Sequence, residues 1–260
     1  MNNYRLMNDE NKAFLDYVIA MYKGQEDDSC FDETGEIIVD LPGLPGFIVK
    51  KFVYSPPHVN VAMAHPETIA ARLQGKSFLE IGTGTGICGI YCALHGRPSH
   101  VAVTDISPLA VANAQANADH YELTEPSFRV IESDVYSSLP AGEKYDCLFW
   151  NFPWNAQDMS VEDTLTEKGI EVTPERVWQL RAGLDQQYKG LCTFIREGKD
   201  HLNAGGEILL GAGTPSRHDI IYGEAERWGY NIEIISRQTM EIDKIGNQVC
   251  ETILYRLTVK

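Results

Sequence analysis

The sequence predicts an α/β fold with a doubly wound, mostly parallel seven-stranded sheet ending in an antiparallel edge hairpin. Three observations carry that prediction. From residue 78 onward, short apolar runs alternate with helical stretches, the pattern of strand–helix–strand units covered on both faces. A glycine-rich turn, Gly82 to Gly86, joins the first such run to the first helix after it. The last two apolar runs are separated by Ser236 to Val249, which holds no convincing amphipathic helix, so they read as a hairpin at the sheet edge.

At the start of the chain, Phe14, Leu15, Val18, Ile19 and Tyr22 recur at helical spacing and read as a packing stripe. Glu26, Asp27, Asp28, Asp32 and Glu33 mark a solvated loop, and Glu36 to Val39 with Gly46 to Tyr54 read as two short strands around the turn LPGLPG. Residues 1–50 are therefore expected to form a small N-terminal helix and hairpin extension, with the main domain over 51–260. A helix from His65 through Ile69, Ala70 and Leu73 ends near Gly75. Seven strands are then expected: Phe78 to Ile81, His100 to Thr104, Ser127 to Ile131, Tyr145 to Trp150, Glu207 to Gly211, Asn231 to Ile235 and Glu251 to Val259. Between most of them lie helices over Cys88 to His95, Leu109 to His120, Gln186 to Leu202 and Asp219 to Trp228. Residues 155–185 form one long, polar, weakly periodic insertion directly after a strand end, where active-site lids tend to lie.

Composition narrows the function. The 260 residues are 43% hydrophobic and 23% charged, which suits one full-sized domain with a small appendage. Thirty-seven Asp and Glu against 22 Lys and Arg give a formal charge of −15, a field that repels nucleic acid. The six cysteines (Cys30, Cys88, Cys92, Cys147, Cys192, Cys250) form no CxxC pair and read as reduced core residues of a cytoplasmic protein. No stretch approaches the roughly 20 apolar residues that cross a bilayer. The seven histidines make neither HExxH nor the HxE and PCxxC set, so no metal site is expected. GxSxG and the Walker pattern are also missing, which removes serine hydrolase and P-loop readings.

The segment FLEIGTGTGICG, residues 78–89, satisfies the dinucleotide pattern GxGxxG through Gly84, Gly86 and Gly89. Alone it leaves several nucleoside ligands open, an NAD(P) among them. Glu80 tilts the choice, since a carboxylate there repels a pyrophosphate and attracts a cationic amino group. Asp105 ends the next strand, placed to bind the vicinal hydroxyls of a ribose or to cap the helix near Pro108, a cap for which Ser107 competes. Asp134, beside Val135, reads as a partner for an adenine amino group or as a plain loop aspartate. After YDCLFW come Asn151, Phe152, Pro153 and Trp154, at the strand end where open α/β sheets bind ligands.

Taken together, the strand carrying ExGxGxG, the later acid and the [DN]-x-P-[aromatic] tetrapeptide resemble the class I S-adenosylmethionine-dependent methyltransferases. The resemblance covers roughly Phe52 to Lys260, in the subgroup whose tetrapeptide is usually NPPY: adenine and glutamine amino-methyltransferases with small-molecule relatives. It implies a Rossmann-like methyltransferase fold and S-adenosylmethionine as cofactor. It implies that Glu80, Gly82, Thr83, Gly84 and Gly86 line the methionine part, Asp105 and Ile106 the ribose, and Asp134 and Val135 the adenine. Asn151, Pro153 and Trp154 become the catalytic tetrapeptide, with Asn151 also touching cofactor and Phe152 and Trp154 facing substrate. In FVYSPP, similar to the segment that covers the cofactor in this family, Tyr54 is a further ligand-side contact.

The chemistry fits those residue types. A planar nitrogen has its lone pair delocalised, and acceptors such as Asn151 Oδ1 and the Phe152 or Pro153 carbonyl can take its N–H bonds and aim the lone pair at a methyl. Trp154 offers a flat surface for stacking. Phe152 replaces the first proline of the usual tetrapeptide, so only Phe152, which precedes Pro153, is held extended. His58 and His65 flank the covering segment as substrate-side bases or surface residues, and Thr214 to Arg217 either borders the pocket or turns the chain. The expected function is N-methyl transfer to a planar or weakly nucleophilic nitrogen. A small molecule ranks first as acceptor, a protein side chain such as glutamine second, a nucleic-acid adenine third. An NAD(P)-dependent oxidoreductase and a non-catalytic scaffold are the competing classes.

Overall fold

The computed structural model describes residues 15–16, 18–20, 31–53, 63–242 and 248–260. A hairpin of β1 (Glu36–Leu41) and β2 (Leu44–Lys50) comes first, followed by α1 (Pro66–Ala70). The main sheet begins with β3 (Ser77–Ile81), α2 (Ile87–His95), β4 (His100–Asp105), α3 (Pro108–His120), β5 (Phe128–Glu132) and β6 (Tyr145–Asn151). After an insertion it continues with α6 (Lys189–Gly198), β9 (Leu202–Gly213), α7 (His218–Arg227), β10 (Tyr230–Ile242) and β11 (Gln248–Val259). The strand order is β10-β11-β9-β6-β3-β4-β5, parallel throughout except that β11 runs antiparallel to both β9 and β10. This is the sheet the alternation predicts, antiparallel edge included.

Successive side chains of a strand point to opposite faces, and here both faces are apolar. Phe78, Val101, Cys147 and Leu209 join one core with Ile87 and Ile90 of α2 and Ala114 and Ala118 of α3. Their neighbours Leu79, Ala102, Leu148 and Ile208 join another with Leu191, Phe194 and Ile195 of α6 and Ile221 of α7. The order in which strands are added reverses about β3: β4 and β5 stack on one side, β6 and β9 on the other. A crevice therefore opens at the carboxyl ends of β3, β4 and β6.

The insertion is ordered. Residues Asn155–Gln157 (β7) and Leu184–Gln186 (β8) pair in parallel, so its two ends are clipped together. Between them lie α4 (Val161–Glu167), capped by Ser160 on the Asp163 amide, and α5 (Pro174–Arg181), capped by Thr173 on the Arg176 amide. Leu15, Val18 and Ile19, in the helical residues near the N-terminus, pack on Val161, Leu165, Leu180 and Leu184 of this insertion. Asp16 makes an ion pair with Lys168. The stripe is thus a packing face, as expected, and what it packs on is the insertion. Phe14, Tyr22, Tyr54 and His58 lie outside the described residues.

Several boundaries differ from expectation. The weakly periodic insertion holds two helices because they are short and capped, with apolar residues too few to show a period. The helix expected from Gln186 begins at Lys189, because Gln187 and Tyr188 take positive φ of 56° and 50° and break any helical run there. Helix α1 stops at Ala70, and the Arg72 and Leu73 amides bond three residues back in a tightened turn. Strands β10 and β11 run further than the apolar residues alone, pairing out to Ile242 and Gln248.

Two buried asparagines that pattern reading passed over join the hairpin to the main domain. Asn113 and Asn117 lie one turn apart on α3, both fully buried. Asn117 Oδ1 accepts from the Ile48 amide at 2.7 Å and Asn113 Oδ1 from the Lys50 amide at 2.8 Å, while both Nδ2 groups donate to the Ile48 carbonyl. Side chains of a helix thereby satisfy the open edge of a strand. Asn117 Nδ2 also donates to the Thr85 carbonyl at 2.9 Å, which ties the glycine loop to the same post. Replacing Asn117 with Ala strands the Ile48 amide and the Thr85 carbonyl, with an expected loss of about 2–4 kcal/mol read from urea denaturation. Replacing exposed Gln115 of the same helix is expected to cost under about 0.5 kcal/mol.

Candidate active site

The loop between β3 and α2 is bent by glycines and held by two carboxylates. Gly82, Gly84 and Gly86 take φ of 62°, 58° and 88°. At Gly82 space matters as well, since a Cβ would sit 2.4 Å from Trp150 Nε1. Glu80 Oε2 accepts from the Thr83 hydroxyl at 2.7 Å and from the Gly89 amide at 2.8 Å. Asp105 Oδ2 accepts from the Gly84 amide at 2.9 Å and Oδ1 from the Ser107 amide at 2.9 Å. Ser107 is the N-cap of α3, so Asp105 is free of that duty. Burial pushes the Glu80 carboxyl up to about 8, with nearby Asp105 adding to the shift. Asp105 is also raised by burial, against the pull of its amide bonds.

The tetrapeptide after β6 is held from three sides. Trp154 Nε1 donates to Asn151 Oδ1 at 3.4 Å. The Tyr188 hydroxyl donates to the Trp154 carbonyl at 2.6 Å and accepts from the Arg217 amide at 3.1 Å. Strand β9 makes room for both side chains with glycine. At Gly211 a Cβ would meet Asn151 Oδ1 at 2.8 Å, and at Gly213 it would enter the Trp154 ring at 2.2 Å. Phe152 is buried, edge-on to Trp150 and to Tyr188. Its side chain packs in the core and also lines the cavity.

These elements close on one cavity of about 420 Å³. Among the sequence-predicted residues, Glu80, Gly82, Thr83, Gly84, Asp105, Ile106, Asp134, Val135, Asn151, Phe152, Pro153 and Trp154 all line it. Gly86 does not: it turns the chain into α2 and packs against Ala114, where a Cβ would lie 3.2 Å from the Ala114 Cα. Val135 holds a φ of 50°, a strained value for a β-branched residue and the kind of outlier that collects at sites. The walls add residues the sequence did not single out. Asp185, capping the Gly190 and Leu191 amides, is pushed up to about 6 by burial, with repulsion from Asp134 adding to it. Glu162, Trp178, Arg181 and Lys189 come from the insertion and its exit. Asp105, Asp134, Glu162 and Asp185 against Arg181 and Lys189 make the lining acidic, which favours a cationic ligand.

Comparisons with known proteins agree with this geometry. The methyltransferase small domain family matches residues 51–177. A release factor glutamine methyltransferase of Bordetella pertussis is 29% identical over 164 residues, 62% of this chain and 55% of that protein. The protein of the same name from Escherichia coli is 29% identical over 206 residues, 75% of this chain and 67% of that protein. Over these residues the chain is similar to the class I S-adenosylmethionine-dependent methyltransferases. It spans between half and two thirds of the length of these two relatives. Two solved structures share the fold: TYW2 from Pyrococcus horikoshii in complex with MeSAdo (TM-score 0.58, 10% identity, 88% of this chain and 74% of that one) and Trm5b from Pyrococcus abyssi (TM-score 0.56, 15%, 87% and 57%).

The cavity fits the cofactor of such methyltransferases. An acidic lining suits a ligand with both a sulfonium and an ammonium, and about 420 Å³ lies within the range of pockets that bury small ligands. Among the described residues no group of His, Cys, Asp and Glu is arranged to hold a metal ion, and no helix is long and apolar enough to cross a membrane.

Glu80 provides a test without any ligand. Its ordinary value is 4.5 and its folded value about 8, so folding favours the protonated form. That contribution is complete below about pH 4.5 and is lost as pH rises through 8. Glu80→Gln keeps an acceptor for Thr83 and Gly89. Its stability relative to wild type is expected to rise between pH 5 and 9 by on the order of a few kcal/mol, measured by urea denaturation across that range. A difference independent of pH would contradict the burial argument.

Proposed function

We propose that this methyltransferase acts on a planar nitrogen and that its acceptor is a carboxamide the size of a glutamine side chain. The observation that carries the reading is the position of Asn151-Phe152-Pro153-Trp154: it ends β6 and shares one cavity with the glycine loop and Asp105. An amide nitrogen is a weak nucleophile because its lone pair is delocalised. Asn151 Oδ1 and the main-chain carbonyl of Phe152 or Pro153 accept its two N–H groups and direct the lone pair outward, so alignment supplies most of the rate. Tyr188 already occupies the Trp154 carbonyl, which fixes the turn. When bound, S-adenosylmethionine supplies a methyl carried on a cationic sulfur. In this reading Glu80, Gly82, Thr83 and Gly84 flank its methionine part, Asp105 and Ile106 its ribose, and Asp134 and Val135 its adenine.

The glutamine methyltransferases among the relatives favour a carboxamide and make a protein side chain the preferred form of acceptor. A small-molecule acceptor keeps one supporting observation. Glu162, Trp178 and Arg181 of the insertion wall the cavity, and residues near the N-terminus brace that insertion from behind. We read this extension and insertion as a cover that limits what enters.

Methyl-labelled S-adenosylmethionine offered with glutamine-containing peptides, free glutaminamide and an adenine oligonucleotide decides between these acceptors. Label is expected on a glutamine nitrogen by mass spectrometry; label on adenine alone contradicts the proposal. Asp105→Ala is expected to weaken cofactor binding about tenfold or more in calorimetry, the loss of a charged hydrogen-bond partner. Asn151→Ala is expected to leave cofactor affinity within about twofold and to lower kcat by about 10²-fold or more. Equal loss of cofactor binding in both variants contradicts the assigned roles.

A further inference from the structure

The alignment of a nitrogen by two oxygen acceptors leaves one chemical need unmet. When the new N–C bond forms, it uses the nitrogen lone pair, and the departing sulfur keeps the electron pair of the broken C–S bond. The nitrogen then carries a positive charge and one proton too many. Neither an Asn side-chain oxygen nor a peptide carbonyl can keep that proton, since both are very weak bases.

We infer that His65 takes this proton, either directly or through one water, returning the N–H electron pair to the nitrogen; the inference rests on the planar-nitrogen reading above. His65 stands immediately before α1 and lines the cavity. It is 2% exposed, its ring edge-on to Phe149 at a centroid distance of 6.2 Å. Among the described residues neither of its ring nitrogens has a hydrogen-bond partner. A buried imidazole with an unused donor and an unused acceptor is costly to maintain and gains from a ligand. Its neighbour across the site is the tetrapeptide: the point 2.8 Å from Asn151 Oδ1 beside Gly211 is also 3.1 Å from His65 Nε2.

Three other acids that line the cavity are hydrogen-bonded to neighbouring groups, and Asp134 is the one the reading above places beside the adenine. Glu80 accepts from Thr83 and Gly89, Asp105 from Gly84 and Ser107, and Asp185 from Gly190 and Leu191. Glu162 faces Arg181 in an ion pair. Burial pushes His65 down to about 4, so its imidazole is neutral and able to accept near pH 7, and the imidazolium it becomes readily passes its proton to water.

The test has a spectroscopic arm and a kinetic arm. Histidine ¹⁵N resonances of the full chain, with His65 assigned through His65→Gln, are followed as propionamide is added in the presence of S-adenosylhomocysteine. A shift of the His65 ring nitrogens is expected. No shift at His65 overturns the inference: if the Asn151 side-chain amide shifts, it fails alone, and if Asn151 is also still, the carboxamide reading fails with it. In turnover of a glutamine-containing peptide, His65→Gln and His65→Ala are expected to lower kcat by about 10²-fold with KM and cofactor affinity unchanged. Added imidazole is expected to restore most of the loss in His65→Ala. A kcat loss matched by lost cofactor affinity, or one that imidazole leaves untouched in a His65→Ala chain melting like wild type, marks a packing role and overturns the inference.

Discussion

A loop with three residues at positive φ stays in one shape only if its amides are held, and here two buried carboxylates hold them. Glu80 reaches forward to Thr83 and Gly89, and Asp105 reaches across from the neighbouring strand to Gly84. The same bonds bring two acids into the low-dielectric end of a parallel sheet, where both resist ionisation. Such a site is electrostatically unfinished until a cation arrives. That constraint links the fold to the cofactor: the geometry that fixes the loop also makes it receptive to a sulfonium bearing an ammonium.

The second half of the site is built by close approach. Strand β9 is glycine at 211 and 213, where Asn151, His65 and Trp154 crowd in, and the β3 loop is glycine where Trp150 does. Tyr188, at positive φ, spans from the insertion exit to the Trp154 carbonyl and the Arg217 amide. The tetrapeptide is therefore gripped by β9, by the start of α6 and by the turn before α7. The parallel clip of β7 and β8 fixes the ends of the insertion, and Leu15, Val18 and Ile19 pack against its helices. One wall of the cavity thus depends on segments remote in sequence from the glycine loop.

The sheet was legible because its strands are apolar on both faces and separated by helices, a pattern strong enough to give all seven strands. The glycine-loop side of the cavity was legible for a different reason: Glu80, Gly82, Gly84 and Asp105 are spaced along the chain by the length of a strand and a helix. Gly86 shows the limit of such reading, because a glycine needed for packing against Ala114 looks the same as one needed for a ligand. The insertion escaped because α4 and α5 bury few apolar residues each; the pairs Ser160 with Asp163 and Thr173 with Pro174 were the capping signals that could have located them. Asn113 and Asn117 could have been found as polar residues one turn apart on the same face as Ala110, Ala114 and Ala118. Their partner, the edge of β2, was not visible at any sequence distance. Asp185 and the unpartnered ring of His65 are products of burial, which only the assembled fold defines.

The most direct test of the account is the crystal structure of the chain with S-adenosylhomocysteine and glutaminamide. The account predicts the ribose on Asp105, the sulfur beside the tetrapeptide, and the carboxamide nitrogen within hydrogen-bond distance of Asn151 Oδ1 with its lone pair facing the sulfur. A cofactor product bound away from Asp105, or a carboxamide whose nitrogen does not reach Asn151, would contradict it.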